Sequence, residues 1–154
     1  MNSVSQKGFT LIELLVVIGI LAVLLTAVLI AINPVRQFAQ AKDSQRHNDV
    51  LAILNAIGQY SADNKGVLPT GIPVSPANPA VDISNGGANL CGLLMPTYIS
   101  ALPADPAANG GLPYSTCPAV YDTLYKVVQD GSGRVTVSAT PDSNGTGNPI
   151  SVTR

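Results

Sequence analysis

Residues 9–32 read FTLIELLVVIGILAVLLTAVLIAI, 24 positions interrupted only by Thr10, Glu13, Gly19 and Thr26. As a helix rising about 1.5 Å per residue, this run covers about 36 Å, enough to cross the hydrocarbon of a bilayer. A cleaved secretory signal has an apolar core of only about 7 to 15 residues, and "AIN" followed by Pro34 makes a poor processing site. One ionisable side chain, Glu13, sits inside the run. A carboxylate in hydrocarbon is costly, so Glu13 is a functional candidate whose partner must come from elsewhere.

After the run, about 120 residues remain for a head. Eight Lys and Arg face nine Asp and Glu, and no basic stripe is present, so no specific nucleic-acid binding is indicated. Cys91 and Cys117 both follow the apolar run. If the head lies outside the cytoplasm, they are expected to form a disulfide, contributing about 3 kcal/mol in the chain-entropy picture; the alternative is two buried thiols. With a single distant histidine they cannot complete a structural zinc site.

Pro34 interrupts the helix and is expected to kink it near Ala31, after which the helix resumes to residue 65. Val50, Leu51, Leu54, Ile57, Tyr60 and Ser61 recur at three- and four-residue spacing and give that second half one apolar stripe. Gly66 and Pro69 end it. Residues 66–118 hold nine of the twelve prolines and seven of the fourteen glycines and read as a long connecting region, containing either one short helix or two helical turns meeting at Pro96. "TLYKVVQ" and "RVTVSA" around "DGSG" read as a β-hairpin, with Tyr125, Val127 and Gln129 on one face and Lys126 and Val128 on the other. Residues 140–154 read as a flexible tail.

The stretch "KGFTLIELLVVIGILAVL" closely resembles the amino-terminal signature of type IV pilins and of type II secretion pseudopilins, matching Lys7, Gly8, Phe9, Thr10, Leu11, Ile12, Glu13 and the run beyond. "DVLAILNAIGQYSADNKGVLP", "LMPTYISALPADP" and the tyrosine-bearing hairpin look like the major pseudopilin of a secretion system, with residues 70–90 departing as an insertion. The resemblance implies that a membrane prepilin peptidase cuts between Gly8 and Phe9, and that Phe9 becomes the N-methylated first residue. It further implies that Glu13 meets the amine of Phe9 on a neighbouring subunit, where a low dielectric strengthens the attraction and sets register. Arg36, Lys42 and Arg46 follow the span, whereas only Lys7 and the amino terminus precede it. Charge placement alone therefore does not favour a cytoplasmic amino terminus, and orientation rests on the resemblance.

The expected architecture is α+β: a leader at residues 1–8, a transmembrane or filament-core helix at 9–33, its amphipathic continuation at 34–65, a head at 66–139 with a small antiparallel sheet, and the tail. The expected function is that of a non-enzymatic subunit of a pilus-like filament, held in the bacterial inner membrane as a single-pass precursor and then assembled into a surface fibre. Its implied partners are identical or related subunits, the peptidase, an inner-membrane platform and, indirectly, an assembly ATPase. The alternatives are a pseudopilin of a periplasmic secretion piston and, from another class, a monomeric membrane-anchored binding module, which requires an uncut amino terminus. His47 stands outside any catalytic pattern. "DGSG" lacks the alternating acids of a calcium loop, Asn144-Gly145-Thr146 is a chance sequon, and no metal or cofactor is expected.

Overall fold

The computed structural model describes residues 8–142 and 149–154. The chain divides between Phe38 and Ala39 into two compact units. In the first, α1 (Leu11–Ile32) ends at Asn33, which adopts a left-handed conformation with φ 46° and ψ 78°. The proline ring at position 34 crowds the preceding residue out of the helical region, and asparagine tolerates the left-handed one better than most residues. The Asn33 carbonyl accepts from the N–H groups of Arg36 (3.1 Å) and Gln37 (3.4 Å), restarting the chain as α2 (Pro34–Asp63). Proline opens that helix where its missing N–H has no partner to lose. The interruption expected at Pro34 is found there, and the helix resumes as expected: the two parts are 22 and 30 residues long, with the break at Asn33.

From Ala39 onwards α2 belongs to the second unit. Val50, Leu54 and Ile57 of the expected stripe are buried, together with Ile53 and Ala56, whereas Leu51, Tyr60 and Ser61 are half-buried. Val50, Ile53, Leu54 and Ile57 stand at i, i+3, i+4 and i+7, so the stripe centres on Ile53. Gly58 lies half-buried in this helix, and a Cβ built there meets nothing within 4 Å. Gly58→Ala is therefore expected to raise stability by about 0.5–1 kcal/mol through the backbone entropy of the unfolded chain. Thermal denaturation of the two proteins checks this, and a lowered midpoint would contradict it.

The helix packs on a four-stranded antiparallel sheet in the order β1 (Val81–Ser84), β2 (Asp122–Gln129), β3 (Val135–Ala139), β4 (Ile150–Thr153). The β2–β3 hairpin forms where the sequence places it, with Gln129 opposite Val135. Its turn needs Gly133 at φ 86°, and the Asp130 carboxylate accepts the N–H groups of Ser132 (2.8 Å) and Arg134 (2.9 Å). Those bonds, chiefly from Arg134, hold the Asp130 carboxyl below its ordinary range. Thr123, Tyr125 and Val127 face the core while Leu124 and Lys126 face outward. The alternation stops at Val128 and Gln129, both half-buried, because the Gln129 backbone pairs with Pro73 and Ser75 across the strand's end.

Two readings are corrected. The region 66–118 contains β1, whose Val81 pairs with Val127; four residues among prolines and glycines carry too short an alternation to be recognised as a strand. The helical expectation in that region holds in its first form, one short helix, α3 (Cys91–Leu94). Residues 150–153, placed in the flexible tail, form β4 against β3: Val137 faces Val152, and Val135 and Arg154 exchange backbone bonds of 2.8 and 3.0 Å. Half-buried Ile150 and Val152 extend the core, which offsets the ordering of the segment. The Asn144 sequon lies outside the described residues.

Sequence pattern gives no hint of Arg46. It lies on α2 with a side chain 3% exposed and forms a fork onto Asp105, Nε to Oδ2 at 2.6 Å and Nη2 to Oδ1 at 2.8 Å, with Nη1 reaching Asp43 at 2.9 Å. The hydrogen bond to Asp105, outweighing burial, raises the guanidinium pKa above its already high ordinary value. Burial pushes the Asp105 carboxyl up, but the bonds from Arg46 and the Ala107 N–H overcome this and hold it low. Nearby, Tyr125 donates to Asp49 at 2.8 Å, and burial raises both groups.

Candidate functional site

Thr10 sits in extended backbone just before α1, and its Oγ1 accepts the N–H of Glu13 at 3.3 Å. Glu13 Oε2 reaches back to accept from the Thr10 N–H at 3.0 Å and from Thr10 Oγ1 at 2.8 Å. This reciprocal arrangement is a capping box, and it satisfies donors that the first helical turn leaves without intrahelical partners. The sequence signal is Thr-x-x-Glu ahead of an apolar run, a local signature that the resemblance to a longer motif conceals. The carboxylate is thus positioned by its own turn and complements the helix dipole. Thr26 bonds back to the Ala22 carbonyl at 2.9 Å, so its hydroxyl is also satisfied within the helix.

Around that polar tip, the side chains have no cover among the described residues. Every Leu, Ile, Val and Phe from Phe9 to Ile30 is at least half exposed, with Phe9 at 90%. Burying such side chains is worth about 1.5–3 kcal/mol each, so this helix carries on the order of tens of kcal/mol of unrealised burial. Leu11–Ala31 is long and apolar enough to cross a membrane. An exposed apolar surface of this extent marks a site for contact with lipid or with other apolar surface.

The structure places the other sequence candidates as follows. Gly8 and Phe9 are exposed and non-helical, directly before the cap. Residues 1–7 of the expected leader, including Lys7, lie outside the described residues. Pro34 opens α2. Cys91 and Cys117 form a disulfide with Cα atoms 5.7 Å apart, Cys91 buried and Cys117 exposed. His47 is exposed on α2. Among the described residues, no three His, Cys, Asp or Glu side chains gather as a metal site.

Residues 4–29 match the family model described as the prokaryotic N-terminal methylation motif. The type IV major pilin protein PilE1 of Neisseria gonorrhoeae is 41% identical over 83 residues, an alignment covering 51% of this chain and 35% of that protein. The chain thus spans about a third of the length of the curated relative it matches. No solved structure matches. The chain carries a pilin-type N-terminal methylation motif, seated on an exposed apolar helix whose one carboxylate is held at its start.

Proposed function

We propose that this protein is a structural subunit of a type IV pilus-like filament. The observation carrying this reading is the methylation motif on α1, a helix uncovered from Phe9 to Ile30. The precursor sits in the bacterial inner membrane through α1, and prepilin peptidase cuts between Gly8 and Phe9. Methylation of the new Phe9 amine leaves it positively charged. The cut spares both Thr10 groups that hold Glu13, so the capping box survives processing. Subunits then move from bilayer to fibre by exchanging lipid for neighbouring α1 helices, driven through the platform by an assembly ATPase. In that bundle the oriented Glu13 carboxylate meets the Phe9 amine of a neighbour.

The similarity to a major pilin and the disulfide-closed head favour a surface fibre. The secretion-type look of the segment "DVLAILNAIGQYSADNKGVLP" favours a periplasmic pseudopilus as the second reading. Intact mass and amino-terminal sequence of protein from membranes and from sheared surface material test both. A chain beginning at N-methyl-Phe9 in the sheared fraction is the expected result. The same chain in membranes alone would favour the pseudopilus. A chain beginning at Met1 in a peptidase-competent host would overturn both and leave the membrane-anchored binding module.

A further inference from the structure

The carbonyl attacked in the proposed cleavage, that of Gly8, lies two residues before the cap of α1, and the cap decides whether it stands inside the helix or outside it. In an α-helix each carbonyl accepts from the N–H four residues on. Growth of α1 backward by one residue would place the Glu13 N–H on the Phe9 carbonyl. Growth by two would place the Ile12 N–H on the Gly8 carbonyl. The observed bonds oppose the first of these steps. Thr10 Oγ1 already takes the Glu13 N–H at 3.3 Å, and the first intrahelical bond runs from the Leu14 N–H to the Thr10 carbonyl, also at 3.3 Å. Thr10 holds φ −82° and ψ 150°, the extended conformation that goes with a capping side chain. Gly8 and Phe9 are accordingly non-helical and exposed, Phe9 at 90%. Phe9 has no helix-stopping chemistry of its own, so the stop at this point falls to the Thr10 hydroxyl.

We infer that Thr10 is a positioning residue for the peptidase step, an inference that rests on the proposed function: its hydroxyl stops α1 short of the cleavage point and keeps the Gly8 carbonyl out of the helix ladder. Hydrolysis adds water across the Gly8–Phe9 amide, the oxygen joining the Gly8 carbonyl carbon and a proton passing to the departing Phe9 nitrogen. Attack needs that carbonyl turned out toward the reagent, whereas a carbonyl bonded within a helix is enclosed by its own turn. A chain that spends part of its time with the helix grown back is competent only for the remainder. Its apparent affinity for the peptidase then falls with the competent fraction, while turnover of the bound chain is unchanged. The Glu13 carboxylate is secondary in this step, because the donor to Thr10 Oγ1 is the Glu13 backbone and survives replacement of the side chain by alanine.

The test uses the full chain in liposomes with a prepilin peptidase and follows loss of the leader by mass over a range of surface concentrations. Thr10→Val keeps the shape of threonine and removes the acceptor, whereas Thr10→Ser and Thr10→Asn keep an acceptor in different shapes. An apparent KM raised about fivefold in Thr10→Val with kcat unchanged, and the other two variants within about twofold of the parent, is the expected result. NMR of the uncut chains in micelles reads the helix directly: the Phe9 Cα shift is expected to move to a helical value in Thr10→Val and in neither of the others. Thr10→Val cut as well as the parent overturns the inference. So does Thr10→Asn cut as poorly as Thr10→Val, which would mean that the peptidase reads the threonine side chain itself. A parent chain left uncut between Gly8 and Phe9 overturns the proposed function, and this inference with it.

Discussion

Asp105→Ala is expected to lower the stability of the head by about 3–5 kcal/mol. The reason lies with the group left behind. Arg46 has a side chain 3% exposed and directs three nitrogens at two carboxylates, and Asp105 takes two of those bonds. Removing Asp105 strands a guanidinium away from water, with Asp43 as its close remaining acceptor and Asp142 at 3.6 Å. For a chain of this size the thermal midpoint should fall by about 10 °C or more. The double variant Arg46→Met, Asp105→Ala removes the stranded charge as well and is expected to be more stable than Asp105→Ala alone. Chemical denaturation of the full chain in micelles reads both values. An Asp105→Ala loss under about 1 kcal/mol would mean that water reaches the guanidinium and the pair is ordinary surface charge.

The same pair fixes the sign of the acid response. The Asp105 carboxyl is held below its unfolded value, so its contribution is fully present above the unfolded pKa of about 3.9 and fades as pH falls through the folded value. Asp49 acts in the opposite sense: burial raises its pKa, so protonation on acidification relieves a cost. Tyr125 is raised too; the preference for its neutral form stabilises the fold below the unfolded pKa of about 10 and is lost as pH rises beyond it.

What the sequence revealed and what it concealed follow the range over which each feature acts. The apolar run, the hairpin around "DGSG" and the helix stop at Gly66 are set by neighbours a few residues apart, and all are legible from the chain. β1 and β4 are four-residue strands made regular by partners far along the sequence, so their local pattern is too short to separate from loop. Arg46 and Asp105 are 59 residues apart, and only folding reveals that a residue on the polar side of a helix is buried. The bonds that Tyr121 donates to Asn85 and Asn89 are hidden in the same way, since each looks like a loop asparagine until folding brings Tyr121 to it. The Thr10–Glu13 box is different, because Thr-x-x-Glu ahead of an apolar run is a local signal, and it gives Glu13 a partner within its own turn.

Glu13→Ala is expected to leave membrane insertion and cleavage at Gly8–Phe9 intact while lowering filament yield by at least tenfold. In the proposed processing, cleavage falls in the exposed Gly8–Phe9 segment, which precedes the helix, and insertion rests on the apolar length of α1; on that reading neither uses the carboxylate. In the proposed function, assembly uses it twice. In the single chain Glu13 closes the cap on Thr10, and in the proposed bundle it neutralises the methylated Phe9 amine of a neighbour, a charge otherwise buried without a partner. Loss of the cap alone costs about 1 kcal/mol, whereas an unpaired buried amine costs several. Glu13→Gln separates the two, because its amide oxygen can still accept from Thr10 but carries no charge. If charge pairing dominates, Glu13→Gln assembles as poorly as Glu13→Ala; if the cap dominates, it assembles nearly as well as the parent protein. Quantifying sheared filaments beside the mature membrane pool decides between them, and normal yield from Glu13→Ala would remove Glu13 from assembly altogether.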